Sequence, residues 1–387
     1  MISIEQLWTL IDECVEPRQE QELNLAAALG CVSAKPIVSP TDCPAFDHSA
    51  MDGFAFAETA PGPCRVIREN PAGCADPGRI RPGEAARIFT GASLPVGTVS
   101  VARQEDCLHG GDAVRLKDGL SLAQGDNIRR AGDIFRSGSV VLPAGTKVTP
   151  GAVGLLAACG VRELNVRALP RILHLSTGSE LVEVGHPLTQ GKIYDSNGPM
   201  IEALLASRNL PVIRKFIPDS ADDLTRSVQG FSGDLLLISG GSGPGDHDHT
   251  SAALCGAGYT IRASRINSRP GKPLIFATNG RQVAFGLPGN PLSHWVCFQA
   301  FVVRALARLA GGLPPELIPV ACPTPLAAAG DGRRTWTPAR CLYQGGQILV
   351  EPLEWKHSGD LTPLVSADAL LLGEPDPDNH MVRALLL

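Results

Sequence analysis

The chain has 387 residues, 44% hydrophobic and 19% charged, with 42 glycines, 32 prolines and a formal net charge of −5. That length exceeds one ordinary core, so two to four domains are expected, and the hydrophobic content excludes a disordered chain. The acidic balance and the lack of any basic run exclude a protein that neutralises a nucleic-acid backbone.

The N-terminal stretch Met1-Ile-Ser-Ile-Glu-Gln-Leu-Trp-Thr-Leu-Ile-Asp-Glu13 reads as an acidic amphipathic helix rather than a signal peptide. A second helix is expected around Leu23–Leu29, ahead of the proline-rich Lys35-Pro-Ile-Val-Ser-Pro40. From there to about Arg130 the Pro-Gly pairs at 61–62, 77–78 and 82–83 point to short strands and turns. Ser139-Val-Val-Leu-Pro-Ala-Gly145 carries a hairpin signal, and Pro150 to Cys159 an apolar helix. An α/β unit follows over about 169–312, and the short alternating runs after Pro315, such as Gln347-Ile-Leu-Val350, suit a small β-barrel. The eleven cysteines form no Cys-x-x-Cys pair and no zinc-spaced set, so they read as reduced, mostly buried thiols. No apolar run reaches the roughly 18 residues that span a bilayer, and a cytoplasmic location is expected.

Within the α/β unit, three apolar strands each run into a loop of small residues. Arg171-Ile-Leu-His-Leu175 precedes Ser176-Thr-Gly-Ser-Glu180; Asp234-Leu-Leu-Leu-Ile238 precedes Ser239-Gly-Gly-Ser-Gly-Pro-Gly245; Val283-Ala-Phe-Gly-Leu287 precedes Pro288-Gly-Asn-Pro291. Pro291 suits the first turn of the helix that continues through Leu292-Ser-His-Trp. In a parallel sheet these loops share the carboxyl edge, where open α/β sheets bind ligands and helix N-termini attract anions.

Seven segments in order resemble the MoeA family of molybdopterin molybdenumtransferases, which includes the E domain of gephyrin. They are Pro44-Ala-Phe-Asp-His-Ser-Ala-Met-Asp-Gly-Phe-Ala55, Ile88-Phe-Thr-Gly-Ala-Ser-Leu-Pro95, Asn127-Ile-Arg-Arg-Ala-Gly-Asp133, Ser176-Thr-Gly-Ser-Glu-Leu181, Gly191-Lys-Ile-Tyr-Asp-Ser-Asn197, Arg269-Pro-Gly-Lys-Pro273 and Leu287-Pro-Gly-Asn-Pro291. The resemblance covers the whole chain. It implies a homodimer of four domains: an elongated N-terminal domain of residues 1–38 and 133–168, a β-rich inserted domain of 39–132, a molybdopterin-binding α/β domain of 169–312 resembling MogA and MoaB, and a C-terminal β-barrel of 313–387. It also implies insertion of molybdate into adenylylated molybdopterin with release of AMP, a requirement for Mg2+, and dealings with a MogA-like adenylyltransferase and acceptor apo-molybdoenzymes. The alternatives are a gephyrin-like scaffold, a related adenylyltransferase and a tungstate-preferring paralogue.

On their residues alone, Asp52 before Gly53 and Thr90 before Gly91 are either turn-stabilising groups or site residues. Glu180 is either a first-turn acid or a site carboxylate, and Asp219 either a helix N-cap or a site acid. The resemblance makes Asp52, Thr90, Glu180, Asp219 and Asp248 catalytic, with Asp52 reaching across the dimer interface. It assigns Glu180, Asp246 and Asp248 to the metal and Ser239, Gly240 and Gly241 to the pterin phosphate, while His247 and His249 are incidental. Molybdate falls to Arg269, Lys272, Pro288, Asn290, Pro291 and Ser293, with Arg340 and Ser358 from the last domain. Lys272 follows Pro270-Gly271, where a rigidly held cation is expected to meet an anion. The family usually has Lys where this chain has Arg269, a change that keeps the charge and adds bidentate geometry; Arg265 upstream is a similar replacement. The loop Ser239–Gly245 also departs from the family's Ser-Gly-Gly-Val-Ser-x-Gly, and His48 stands where Asn is common.

Overall fold

The computed structural model describes residues 1–217, 220–240, 249–324, 332–373 and 380–387. The first helix, Ile4–Cys14, starts at a capping box in which the Ser3 hydroxyl accepts from the Gln6 amide and the Gln6 side chain accepts from the Ser3 amide. Ile4, Leu7 and Ile11 recur at helical spacing and are buried. The expected second helix is absent: Glu20–Asn24 is a strand, antiparallel to Glu163–Arg167, and 25–30 are turns. Its alternating exposure shows that period-two burial against a distant partner outweighed local helix propensity. Val140–Leu142 likewise pairs with Ile37–Val38, not within a local hairpin. The apolar helix forms as Pro150–Ala158, capped by Thr149.

Residues 53–116 build a six-stranded sheet in which Gly53–Phe56 lies between Ser100–Arg103 and Glu84–Ile88. Phe54 and Phe56 fill one face with Ala85 and Ala102, and Ala55, Ala86 and Val101 fill the other.

A second six-stranded sheet holds the loops of interest. Its order is Val212–Ile217, Ile172–Thr177, Leu235–Ser239, Val283–Leu287, Ile275–Thr278, Thr260–Ala263, with the first four strands parallel. Both faces are covered, which is why these strands read as continuous apolar runs. Leu235 and Leu237 point toward the first helix and the helix from Pro291; Leu236 and Ile238 point into a core with Leu224, Val228 and Leu254. The helix from Pro291 runs to Leu309 through a π segment, Phe298–Val302, in which every residue is buried.

The C-terminal strands Arg334–Gln344, Gln347–Pro352, Ile318–Ala321, Met381–Leu386 and Ala369–Leu372 pair in that order, and Ala369–Leu372 pairs back onto Arg334–Gln344. The expected small barrel is thus a ring of pairings. Ser268–Arg269, ahead of Pro270, adds to its Arg334–Thr335 end and joins it to the α/β unit.

Candidate functional site

The three small-residue loops emerge side by side, because their strands are neighbours whose register sets Ser176 beside Ser239 and Ser239 beside Leu287. They wall a cavity of about 480 Å3, lined by Thr177 and Glu180, by Ser239 and Gly240, and by Pro288 to Pro291 with Ser293. Ile193 to Asn197 and Pro273 complete it. Gly240 is required: at φ +95° a Cβ would lie 2.3 Å from the Thr177 carbonyl oxygen. Pro291, which has no N–H to leave unspent, takes the first helical position behind Asn290, so the start of the helix faces the cavity.

Glu180 is an exposed carboxylate on this wall. The segment beside it, whose Ile193 amide donates to the Glu180 carbonyl at 2.8 Å, ends on Asp195, a buried acid in a quoted motif to which the sequence assigned no role. Asp195 accepts from the Gly198 amide at 2.9 Å and pairs with Arg214 at 3.3 Å. Its charge is therefore spent on structure. Gly198 has no room for a side chain there, since a Cβ would lie 2.5 Å from Asp195 Oδ2 and 2.6 Å from Arg214 Nε. Asn197 donates to the Gly289 carbonyl at 2.8 Å and ties this segment to the Pro288 turn.

Beneath the cavity lies a second feature without a sequence-based role. His174 and His294 are fully buried on either side of Ser239. The Ser239 hydroxyl is 2.5 Å from His174 Nε2 and 3.4 Å from His294 Nε2, and His294 Nδ1 is 3.0 Å from the Pro288 carbonyl oxygen. A carbonyl only accepts, so His294 carries its proton on Nδ1 and leaves Nε2 as an acceptor. The hydroxyl then donates to His294 and accepts from His174 Nε2, which leaves His174 Nδ1 a bare acceptor, the one nitrogen of these two rings without a partner. Burial drives both imidazoles neutral: it lowers His174 to about 3 and His294 to about 4. The network locks the start of the glycine loop to the Pro288 turn. A lone His in an otherwise apolar strand was its visible trace.

Lys272 adjoins this cavity's Pro273 wall, and Arg269 lies three residues before it. Lys272 is exposed, and among the described residues its ammonium has no ion-pair partner. Arg269 is half-buried with its guanidinium 5.7 Å from the centre of the Trp355 ring. Gly271 between them has φ +104°, and a Cβ there would meet Cys297 Sγ at 2.7 Å. Ser358 also reaches this place, its carbonyl accepting from the Leu292 amide at 2.9 Å in the first turn behind Pro291. Arg340 does not join them; it pairs with Glu351 on the neighbouring strand, at 2.5 Å.

Asp52 and Thr90 form their own unit, away from the cavity lining of the same chain. Asp52 Oδ1 accepts from the Thr90 amide and hydroxyl, both at 2.8 Å. Those bonds, led by the amide, hold the exposed carboxylate below its usual range. Phe46 and Met51, in the same segment of chain, are 49% and 42% exposed. Asp219, Gly241, Asp246 and Asp248 lie outside the described residues. The helix beyond Asp219 is nevertheless capped by Ser220, which removes the N-cap reading for that aspartate. Among the described residues no group of three or more His, Cys, Asp or Glu gathers to hold a metal.

The MoeA N-terminal region (domain I and II) matches residues 2–160, and a probable molybdopterin binding domain matches residues 174–308. A protein of Nostoc sp. named molybdopterin molybdenumtransferase is 32% identical over 94% of this chain and 87% of its own length. One of the same name from Haemophilus influenzae is 32% identical over 96% of this chain and 93% of its own. The crystal structure of a molybdopterin biosynthesis protein MoeA from Pyrococcus horikoshii is 26% identical, with a TM-score of 0.82 over 100% of both chains.

Proposed function

This chain belongs to the family of molybdopterin molybdenumtransferases, and from that premise we propose that it inserts molybdate into adenylylated molybdopterin, releasing AMP and forming the molybdenum cofactor. The observation that carries the proposal is the cavity at the carboxyl edge of the sheet, walled by two small-residue turns and the start of the Pro291 helix, with Lys272 adjoining its Pro273 wall and Arg269 three residues before Lys272, neither having an ion-pair partner among the described residues. That combination suits a phosphate-bearing ligand and a second oxyanion held side by side.

Ser239 and Gly240 bind the pterin phosphate through their backbone, and the two histidines keep that backbone in place. Arg269, Lys272 and Ser293, with Ser358 behind the helix start, bind molybdate beside the dithiolene. Exchange of one oxo group of molybdate for two thiol sulfurs releases one water, so the thiol protons leave with that oxygen. Hydrolysis of the phosphoric anhydride takes up one water and frees AMP. Mg2+ fits the donor set as a cation with few protein ligands: Glu180 is an uncommitted exposed carboxylate on the wall, whereas Asp195 is already paired. Such an ion takes one or two carboxylates and completes its shell with phosphate oxygens and water. When bound it supplies charge neutralisation at the anhydride, and Asp246 and Asp248 are its further candidate ligands.

The site is complete only in a homodimer, with Asp52 and Thr90 delivered from the second copy, and the exposed apolar residues Phe46 and Met51 of the same segment suit that interface. The four-domain division at residues 38, 132, 168 and 312 accompanies this reading. A MogA-like adenylyltransferase supplies the substrate, and apo-molybdoenzymes take the product. The test is activation of an apo-molybdoenzyme by the purified protein with adenylylated molybdopterin, Mg2+ and either molybdate or tungstate. Activation with molybdate supports the proposal. Metal capture from tungstate alone marks a tungstate-preferring paralogue, and failure with both overturns it.

A further inference from the structure

Arg269 stands in the expected oxyanion pocket where the family usually has Lys, and its surroundings explain how the change is accommodated. Its backbone is pinned on both sides: Ser268–Arg269 pairs with Arg334–Thr335, and the Ser268 hydroxyl donates to the Pro270 carbonyl at 2.7 Å. Its side chain is half-buried, yet no hydrogen bond or ion pair is made by the guanidinium among the described residues; its only partner is the Trp355 ring. A half-buried guanidinium with none of its five donors spent is costly unless something else offsets the lost hydration. An aromatic face does so without using the in-plane N–H groups.

Trp355 is equally well fixed. It packs against the main core of the α/β unit, although it belongs to the C-terminal segment. The loop after it is closed by Asp360, which accepts from the amides of Lys356 and Thr362 at 3.0 Å each and from the Thr362 hydroxyl at 2.6 Å. Within that loop the Ser358 carbonyl takes the Leu292 amide. One rigid loop therefore touches both halves of the oxyanion pocket, the cation at Arg269 and the helix start at Pro291.

We infer that Trp355 is a positioning residue for oxyanion binding: by its cation–π contact with Arg269 it holds the guanidinium in place so that its N–H donors stay free for molybdate. This rests on the assignment of Arg269 to the molybdate pocket. The fork geometry favours a tetrahedral dianion that accepts two parallel N–H bonds, where a lysine would offer only a point charge.

The experiment is calorimetric binding of molybdate to the intact protein and to variants. Trp355→Leu keeps apolar packing and removes the aromatic face; it is expected to weaken binding about three- to tenfold. Trp355→Phe, which restores a ring, is expected to stay within about twofold of the unsubstituted protein. In an Arg269→Ala background Trp355→Leu is expected to have no further effect, because the guanidinium it orients is gone. Unchanged affinity in Trp355→Leu, or an equal loss with and without Arg269, overturns the inference and leaves the proposed function standing. Absence of molybdate binding to the unsubstituted protein overturns both.

Discussion

Mild acidification should loosen the floor of the cavity, by an amount that follows from the buried histidine pair. His174 and His294 have no exposed surface, and desolvation is the leading reason their pKa values fall to about 3 and about 4. His294 and Arg214 add repulsion at His174, while the Pro288 carbonyl and Asp195 offset part of the burial at His294. Unfolded, both groups titrate near 6.5. The folded values lie below the unfolded ones, so beneath pH 6.5 the unfolded chain binds more protons, and stability is lost as the pH falls from there toward 4. A proton difference of one is worth about 1.4 kcal/mol per pH unit. Starting half-titrated at 6.5, each histidine costs about 1 kcal/mol by pH 5.5 and the pair about 2 kcal/mol. Hydrogen exchange at the amides of Leu235–Ser239, followed against urea at pH 6.5 and 5.5 with intrinsic rates corrected, reads this opening energy locally. His174→Gln and His294→Gln, neutral and still able to hydrogen-bond, should each remove about half of the pH dependence. If both variants keep the full dependence, the histidines are not its source and the reasoning is wrong.

Three further outcomes are expected. Asp52→Ala and Glu180→Ala should each abolish insertion while the fold stays intact, and their co-expression should restore roughly a quarter of the activity, since half the dimers are mixed and each holds one intact site; no restoration would place both acids in one chain's site. Lys272→Ala should weaken molybdate binding by on the order of tenfold or more, the worth of a charged hydrogen bond. Its melting temperature should not change, because the side chain is exposed and has no ion-pair partner among the described residues; unchanged affinity by calorimetry would remove Lys272 from the pocket. Gly198→Ala should cost about 1–3 kcal/mol in urea denaturation, because its Cβ meets the buried Asp195–Arg214 pair; wild-type stability would show that the pair can move aside.

The architecture of the binding edge was legible because it follows from local rules. Continuous apolar runs meant strands buried on both faces, and the small residues after each run could only be loops at one edge. The barrel was visible in its short alternating strands. What failed was the segment Leu23–Leu29, where a strand partner some 140 residues away at Glu163–Arg167 decided the conformation and no local signal records such a pairing. The site was half legible for a similar reason. Glu180, Ser239, Pro288 and Ser293 announce themselves as loop and helix-start residues, and the structure brings them to one cavity. His174, Asp195 and His294 do their work through partners distant in sequence: Ser239 is 65 residues from His174 and 55 from His294. Trp355 was invisible as a site residue, since only the fold carries its loop from the barrel to Arg269. Arg340, placed by local similarity, is engaged by its cross-strand neighbour Glu351.

The central claim, that this chain couples release of AMP to capture of molybdate, is most directly tested by measuring both products in one reaction. Purified protein, adenylylated molybdopterin, Mg2+ and molybdate should yield AMP and pterin-bound molybdenum in equal amounts, with neither formed by Asp52→Ala. AMP release without molybdenum capture, or capture that persists at full rate in Asp52→Ala, would contradict the account.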